Sequence, residues 1–118
     1  MSAWMGIGRS DIGLVRAMNQ DAFVTMDHLG FWAVADGMGG HAGGDVAAQS
    51  AIATAAVQAE LFADPLRNGH CTPQDFLRDV MTQAHDAVLE RAGLEPRLAR
   101  MGTTLVTLLI TSGATPTA

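Results

Sequence analysis

One cysteine, Cys71, is all that this 118-residue chain offers for crosslinking, which excludes an internal disulfide framework. No Lys or Arg adjoins it to activate the thiol, so Cys71 reads as inert. Basic residues are scarce throughout: Lys and Arg total 7 against 12 Asp and Glu, giving a net charge of −5 and a pI near 5.1. They form no cluster, which excludes nucleic-acid binding driven by backbone phosphates. An acidic balance suits a protein that gathers cations. The start, Met1 to Gly6, lacks a basic segment followed by a long apolar core, and no run reads as a membrane span. A cytoplasmic protein with no membrane partner is therefore expected. Repeats and low-complexity segments are missing too, apart from one Ala-rich stretch. What is present, 48% hydrophobic and 16% charged residues, describes one globular domain at most, or part of one.

The first third of the chain reads as strands. A short candidate covers residues 4–8. Asp21 to Met26 alternates weakly, Asp27-His28-Leu29-Gly30 is a turn signal, and Phe31 to Ala35 is a fully apolar run of strand length. Together they predict an antiparallel hairpin with Asp36 at the sheet margin and with Phe31 and Trp32 in the core. Residues 45–62 predict a helix with Val46, Ala53, Val57 and Leu61 on one face, opened by Asp45 and ended by Asp64-Pro65. A second helix opens at Thr72, with Pro73 in its first turn. It carries Phe76, Leu77, Val80, Met81, Ala84, Ala87 and Val88 at helical spacing and stops at Gly93. Residues 103–110 are rich in β-branched and apolar side chains and predict a central strand. Such a strand needs neighbours on both edges, and too few candidates exist, which points to an incomplete domain. The ending, residues 111–118, has no pattern and is expected to be an unstructured tail left by truncation.

The chemistry gathers around Val34-Ala35-Asp36-Gly37-Met38-Gly39-Gly40-His41. A buried strand delivers one carboxylate into a loop of glycines, where backbone approaches a ligand closely. Asp36 and the carbonyl of Gly37 are hard oxygen donors of the kind Mg²⁺ or Mn²⁺ prefers. Upstream, Arg16 and Asp21 bracket a strand entrance, and a guanidinium is the preferred fork for phosphate oxygens. Residue type and spacing leave a metal site and a phosphate site both open. The loop lacks the Lys-Ser/Thr ending of a P-loop, which argues against a nucleotide-binding protein. His28, His70 and His85 lack metal-ligand spacing and are expected at the surface, and His41 as a loop residue.

Four segments in order, Ser10 to Arg16, Asn19-Gln20-Asp21, Val34 to His41, and Met101-Gly102-Thr103-Thr104-Leu105, resemble successive motifs of the PPM-type (type 2C) serine/threonine protein phosphatases, most closely the bacterial branch. The likeness runs from about residue 6 to 110 and assigns residues 1–110 to the N-terminal part of the catalytic domain. It implies an α+β fold, a β-sandwich of antiparallel sheets flanked by helices, of which this chain holds the first half. It implies two divalent cations, Mn²⁺ or Mg²⁺, that acidify a bridging water for attack on phosphoserine or phosphothreonine. By the same resemblance Asp36 bridges the metals and activates that water, Gly37 lends its carbonyl to one of them, Arg16 holds the substrate phosphate, and Asp21 supports the metal ligands together with Gln20.

Two departures bear on activity. Gln20 stands where many members carry a glutamate, and the Gly-Asp-Ser-Arg segment and later acids of the family have no counterpart in this sequence. The expected activity is metal-dependent hydrolysis of phosphoproteins that a serine/threonine kinase has modified, weak or missing in this chain by itself. The alternative is a catalytically silent binding or regulatory module on the same fold.

Overall fold

A computed structural model describes residues 5–8, 20–38 and 43–111. Strand β1 (Asp21–Met26) and strand β2 (Phe31–Met38) form the expected antiparallel hairpin, with Met26 opposite Phe31 and Asp21 opposite Asp36. A single 3-10 turn, Asp27–Leu29, joins them and closes on Gly30 at φ 66°. A side chain there would strike the Ile110 carbonyl oxygen at 2.3 Å, so both conformation and space demand glycine. Strand β3 (Gly102–Thr103) and strand β4 (Val106–Leu109) pair with the other edge of β2. The central strand of this four-stranded sheet is therefore β2. The segment expected to be central is split in two and pairs with β2 alone among the described residues.

A strand was expected over residues 4–8; the described part, residues 5–8, forms none. Gly6 donates its amide to Asp27 Oδ1 at 2.8 Å. The backbone lies directly on two rings: a Cβ at Gly6 would meet the Trp32 indole, and one at Gly8 the Phe23 ring, both near 2 Å.

Helix α1 (Gly44–Arg67) and helix α2 (Pro73–Leu94) lie on one face of the sheet and on each other. The hairpin sends Ala22, Met26, Phe31, Ala33 and Ala35 into that interface. There Phe31 meets Phe76 of α2 edge to face, with ring centroids 5.8 Å apart. Opposite faces of the strands differ, as a period of two requires: Phe23, Val34, Val106 and Leu108 are exposed on the side away from the helices. Trp32 is on that outer side as well, half-buried rather than in the core, with its indole N–H donating to Asp27 Oδ1 at 2.9 Å. One sheet and one helical layer agree with half of a sandwich.

The buried face of α1 is not the expected one. It consists of Ala47, Ala48, Ala51, Ile52, Ala55, Ala59 and Ala63, whereas Val57 and Leu61 are 57% and 63% exposed. A helix wedged between a sheet and a second helix is buried over a wide arc, and close approach on both sides selects alanine over larger apolar residues. Pro65 does not end the helix. Placed in the last turn, it forfeits one ladder bond, and the chain stays helical to Arg67 while Asn68 donates to the Asp64 carbonyl at 2.9 Å. Asp45 sits in the first turn, behind an N-cap at Gly43. Among the described residues α1 is the only helix long and apolar enough to cross a membrane, a count that the expectation of no such run had missed; its alanine face packs inside the fold.

Helix α2 follows its sequence closely. Thr72 caps it through a 3.0 Å bond from the Asp75 amide to its hydroxyl, and Phe76, Val80, Ala84 and Val88 are buried. It passes through Gly93 and stops at Leu94, because Pro96 forces Glu95 into an extended conformation.

Candidate metal and phosphate site

The hairpin register builds the site. Asp21 opens β1 and Asp36 lies near the end of β2, and the two are directly paired across the strands on the face away from the helices. Directly opposed residues place their Cβ atoms about 5 Å apart, a spacing at which two like charges repel. A divalent cation between them turns that repulsion into attraction, and carboxylate oxygens are the donors that Mg²⁺ and Mn²⁺ prefer. Asp36 is exposed and Asp21 half-buried. The donor type fits a hard cation. The donor number does not complete a shell: the described residues hold no group of three or more His, Cys, Asp or Glu able to bind a metal.

Three backbones meet beneath the carboxylates. Gly37 donates its amide to the Gln20 carbonyl at 2.9 Å, which extends the β1–β2 register by one residue. A Cβ on Gly37 would fall 2.0 Å from the Gly44 carbonyl oxygen and 2.6 Å from the Gln20 carbonyl oxygen. Gly44 in turn lies under the Gln20 amide, which a Cβ there would approach to 2.6 Å. Glycine at 37 and 44 thus lets the end of β2, the start of β1 and the first turn of α1 touch. The Gln20 side chain is packed onto that first turn, which is where the structure places the residue expected to help shape the metal site.

Thr104 was not among the expected site residues, although its motif was. Its amide donates to the Asp36 carbonyl at 2.9 Å, and its hydroxyl accepts from the Asp36 amide at 3.1 Å. The signal was the pair of adjacent threonines after Gly102, two hydroxyls in a strand where apolar residues dominate.

Arg16 and Asn19 lie outside the described residues, as do Gly39, Gly40 and His41. Asp21, Gln20, Asp36 and Gly37 are brought together at one end of the hairpin. The histidines His28, His70 and His85 are exposed, and His28 reaches Glu60 of α1 at 2.8 Å. Cys71 lies in a groove at the connection between α1 and α2, with His70, Asp75 and Asp79. Burial pushes its thiol up from the ordinary value, and the carboxylates of Asp75 and Asp79 add to the effect, which agrees with an inert cysteine.

Comparison with known proteins decides the family. The model of the protein phosphatase 2C family matches residues 8–117. The chain belongs to that family. It is 40% identical over 101 residues to the serine/threonine protein phosphatase PstP of Mycobacterium tuberculosis, covering 86% of this chain and 18% of PstP. It is 33% identical over 110 residues to the serine/threonine phosphatase stp of Listeria monocytogenes, covering 86% of this chain and 41% of the relative. The fold is similar to that of the PstP catalytic domain in complex with 2 manganese ions, with a TM-score of 0.69 at 36% identity over 88% of this chain and 42% of that one. The chain therefore spans well under half the length of the relatives it matches.

Proposed function

We propose that this chain supplies the first part of a metal-dependent serine/threonine protein phosphatase centre. The single observation that carries the reading is the register pairing of Asp21 with Asp36 on one sheet face. It sets two carboxylates side by side, and a family member of similar fold is solved in complex with 2 manganese ions. Asp36 and Gly37 would hold a divalent cation, with Asp21 and Gln20 supporting them. Such a cation supplies Lewis-acid activation of water at neutral pH. The chain's own residues do the rest: the β1–β2 ladder fixes the two carboxylates against each other, and the Gly37–Gly44 contact anchors that end of the sheet to α1. Arg16, by its motif, would clamp the phosphate of a phosphoserine or phosphothreonine in a protein substrate made by a kinase.

The donor count favours weak metal binding and little turnover by these residues alone. It also supports a second reading, a catalytically silent module that keeps the fold but not the hydrolysis. One experiment separates the two. Residues 5–110 replace the matching segment of the PstP catalytic domain, and release of phosphate from a phosphothreonine peptide is followed with added Mn²⁺. The expected result is Mn²⁺-dependent hydrolysis that Asp36→Asn removes. A folded chimera that binds Mn²⁺ but releases no phosphate would favour the silent module.

A further inference from the structure

We infer that Thr104 is a positioning residue for Asp36, one whose side-chain hydroxyl replaces a missing ladder bond at the carboxylate-bearing residue. The inference rests on the metal-site reading above. In a regular antiparallel sheet, two residues of a hydrogen-bonded pair exchange both amide-to-carbonyl bonds. Asp36 and Thr104 complete only one. Thr104 donates its amide to the Asp36 carbonyl at 2.9 Å, as a ladder requires. The return bond from the Asp36 amide goes to the Thr104 hydroxyl oxygen at 3.1 Å instead of to the Thr104 carbonyl. That carbonyl accepts from the Thr103 hydroxyl at 2.8 Å. The Thr104 hydroxyl, having accepted from the Asp36 amide, turns its own proton toward the Asp36 carbonyl at 3.4 Å. One hydroxyl thus bridges the amide and the carbonyl of the same aspartate.

The interruption is local. On one side Gly37 pairs with Thr103 and Met38 with Gly102; on the other Val34 pairs with Val106, all in the same register. Only the stretch carrying Asp36 departs from the ladder. Both residues are exposed, so this arrangement is not a way of satisfying buried polar groups. An ordinary ladder bond would serve stability equally well and needs no particular side chain. What the hydroxyl adds is control over the backbone from which the carboxylate projects. Metal ligands depend on such orientation, and loss of a group that orients a ligand commonly lowers metal affinity by about 10- to 100-fold.

The test compares the 118-residue chain with Thr104→Val, Thr104→Ser and Asp36→Asn, reading hydrogen exchange of the Asp36 amide and Mn²⁺ affinity by electron paramagnetic resonance of the free ion. Valine keeps the shape and removes the acceptor, while the Thr104 carbonyl remains engaged by Thr103. Exchange at Asp36 should then accelerate and Mn²⁺ affinity fall by about tenfold or more, with exchange at Val34 and Ala33 unchanged. Serine should restore both. Unchanged exchange and affinity in Thr104→Val, or a serine variant as impaired as valine, would overturn the assignment. If Asp36→Asn binds Mn²⁺ as the unaltered chain does, the metal site itself fails, and this role with it. That outcome is told apart from a failure at Thr104 by the Asp36 variant alone.

Discussion

Alanine at position 37 is expected to break the junction on which the site is built. A Cβ there would sit 2.0 Å from one backbone oxygen and 2.6 Å from another, and neither is the end of a flexible side chain. Relief requires β1, β2 or the first turn of α1 to separate. Overpacking of this kind costs about 1–3 kcal/mol and occasionally more. Equilibrium urea denaturation of Gly37→Ala should therefore show a lower midpoint, and the 2.9 Å bond from Gly37 to Gln20 should lose its exchange protection. Gly93→Ala is the matching control. It has open space around its Cα within α2, so alanine should be neutral or stabilise by up to about 1 kcal/mol. Equal behaviour of the two variants would refute the close approach at Gly37.

The second large effect concerns the sheet–helix interface. Phe31 is fully buried at the turn end of the hairpin, on the face toward the helices, and packs edge to face on Phe76. Phe31→Ala should cost about 3–5 kcal/mol, a large share of the roughly 5–15 kcal/mol that holds a domain together. The comparison that gives the number meaning is Val57→Ala. The sequence pattern places Val57 on the buried stripe of α1, yet it is 57% exposed. Its truncation should change stability by no more than about 0.5 kcal/mol. A cost above 2 kcal/mol for Val57→Ala, read from tryptophan fluorescence in urea, would mean that α1 is rotated from the orientation described.

These variants mark where the fold was legible in the residues and where it was not. The hairpin and α2 could be read because period, turn and cap agree: Asp27 to Gly30 between two strands, and Thr72-Pro73 ahead of a clean apolar stripe. The buried face of α1 could not. Burial there follows how closely neighbours approach, and an alanine-rich helix carries little contrast in hydropathy for a pattern to report. Pro65 misled for a similar reason, since the cost of a proline depends on how many bonds remain to be made after it. Strand 103–110 split at Thr104 because two hydroxyls took over ladder bonds, an event set by side-chain geometry and not by strand propensity.

The site shows the same division. An apolar strand running into glycines singles out Asp36 and Gly37 as candidates, and the four ordered motifs agree with the family found by comparison. The pairing of Asp21 with Asp36 needed the register, which turns two residues fifteen apart into cross-strand neighbours. The contact of Gly37 with Gly44 needed the packing of α1 as well. The missing side chains at Gly37 and Gly44 leave room for neighbouring backbone and for the Gln20 side chain, a use that the motif by itself did not reveal.

The central claim is that the Asp21–Asp36 end of the sheet is a divalent-metal site, and Mn²⁺ titration of the 118-residue chain tests it directly. Calorimetry should register weak binding that falls by about tenfold or more, about 1.4 kcal/mol, in Asp36→Asn. Asp86→Asn, on the exposed face of α2, should leave it unchanged. Binding that persists undiminished in Asp36→Asn, in a chain shown by circular dichroism to remain folded, would contradict the account.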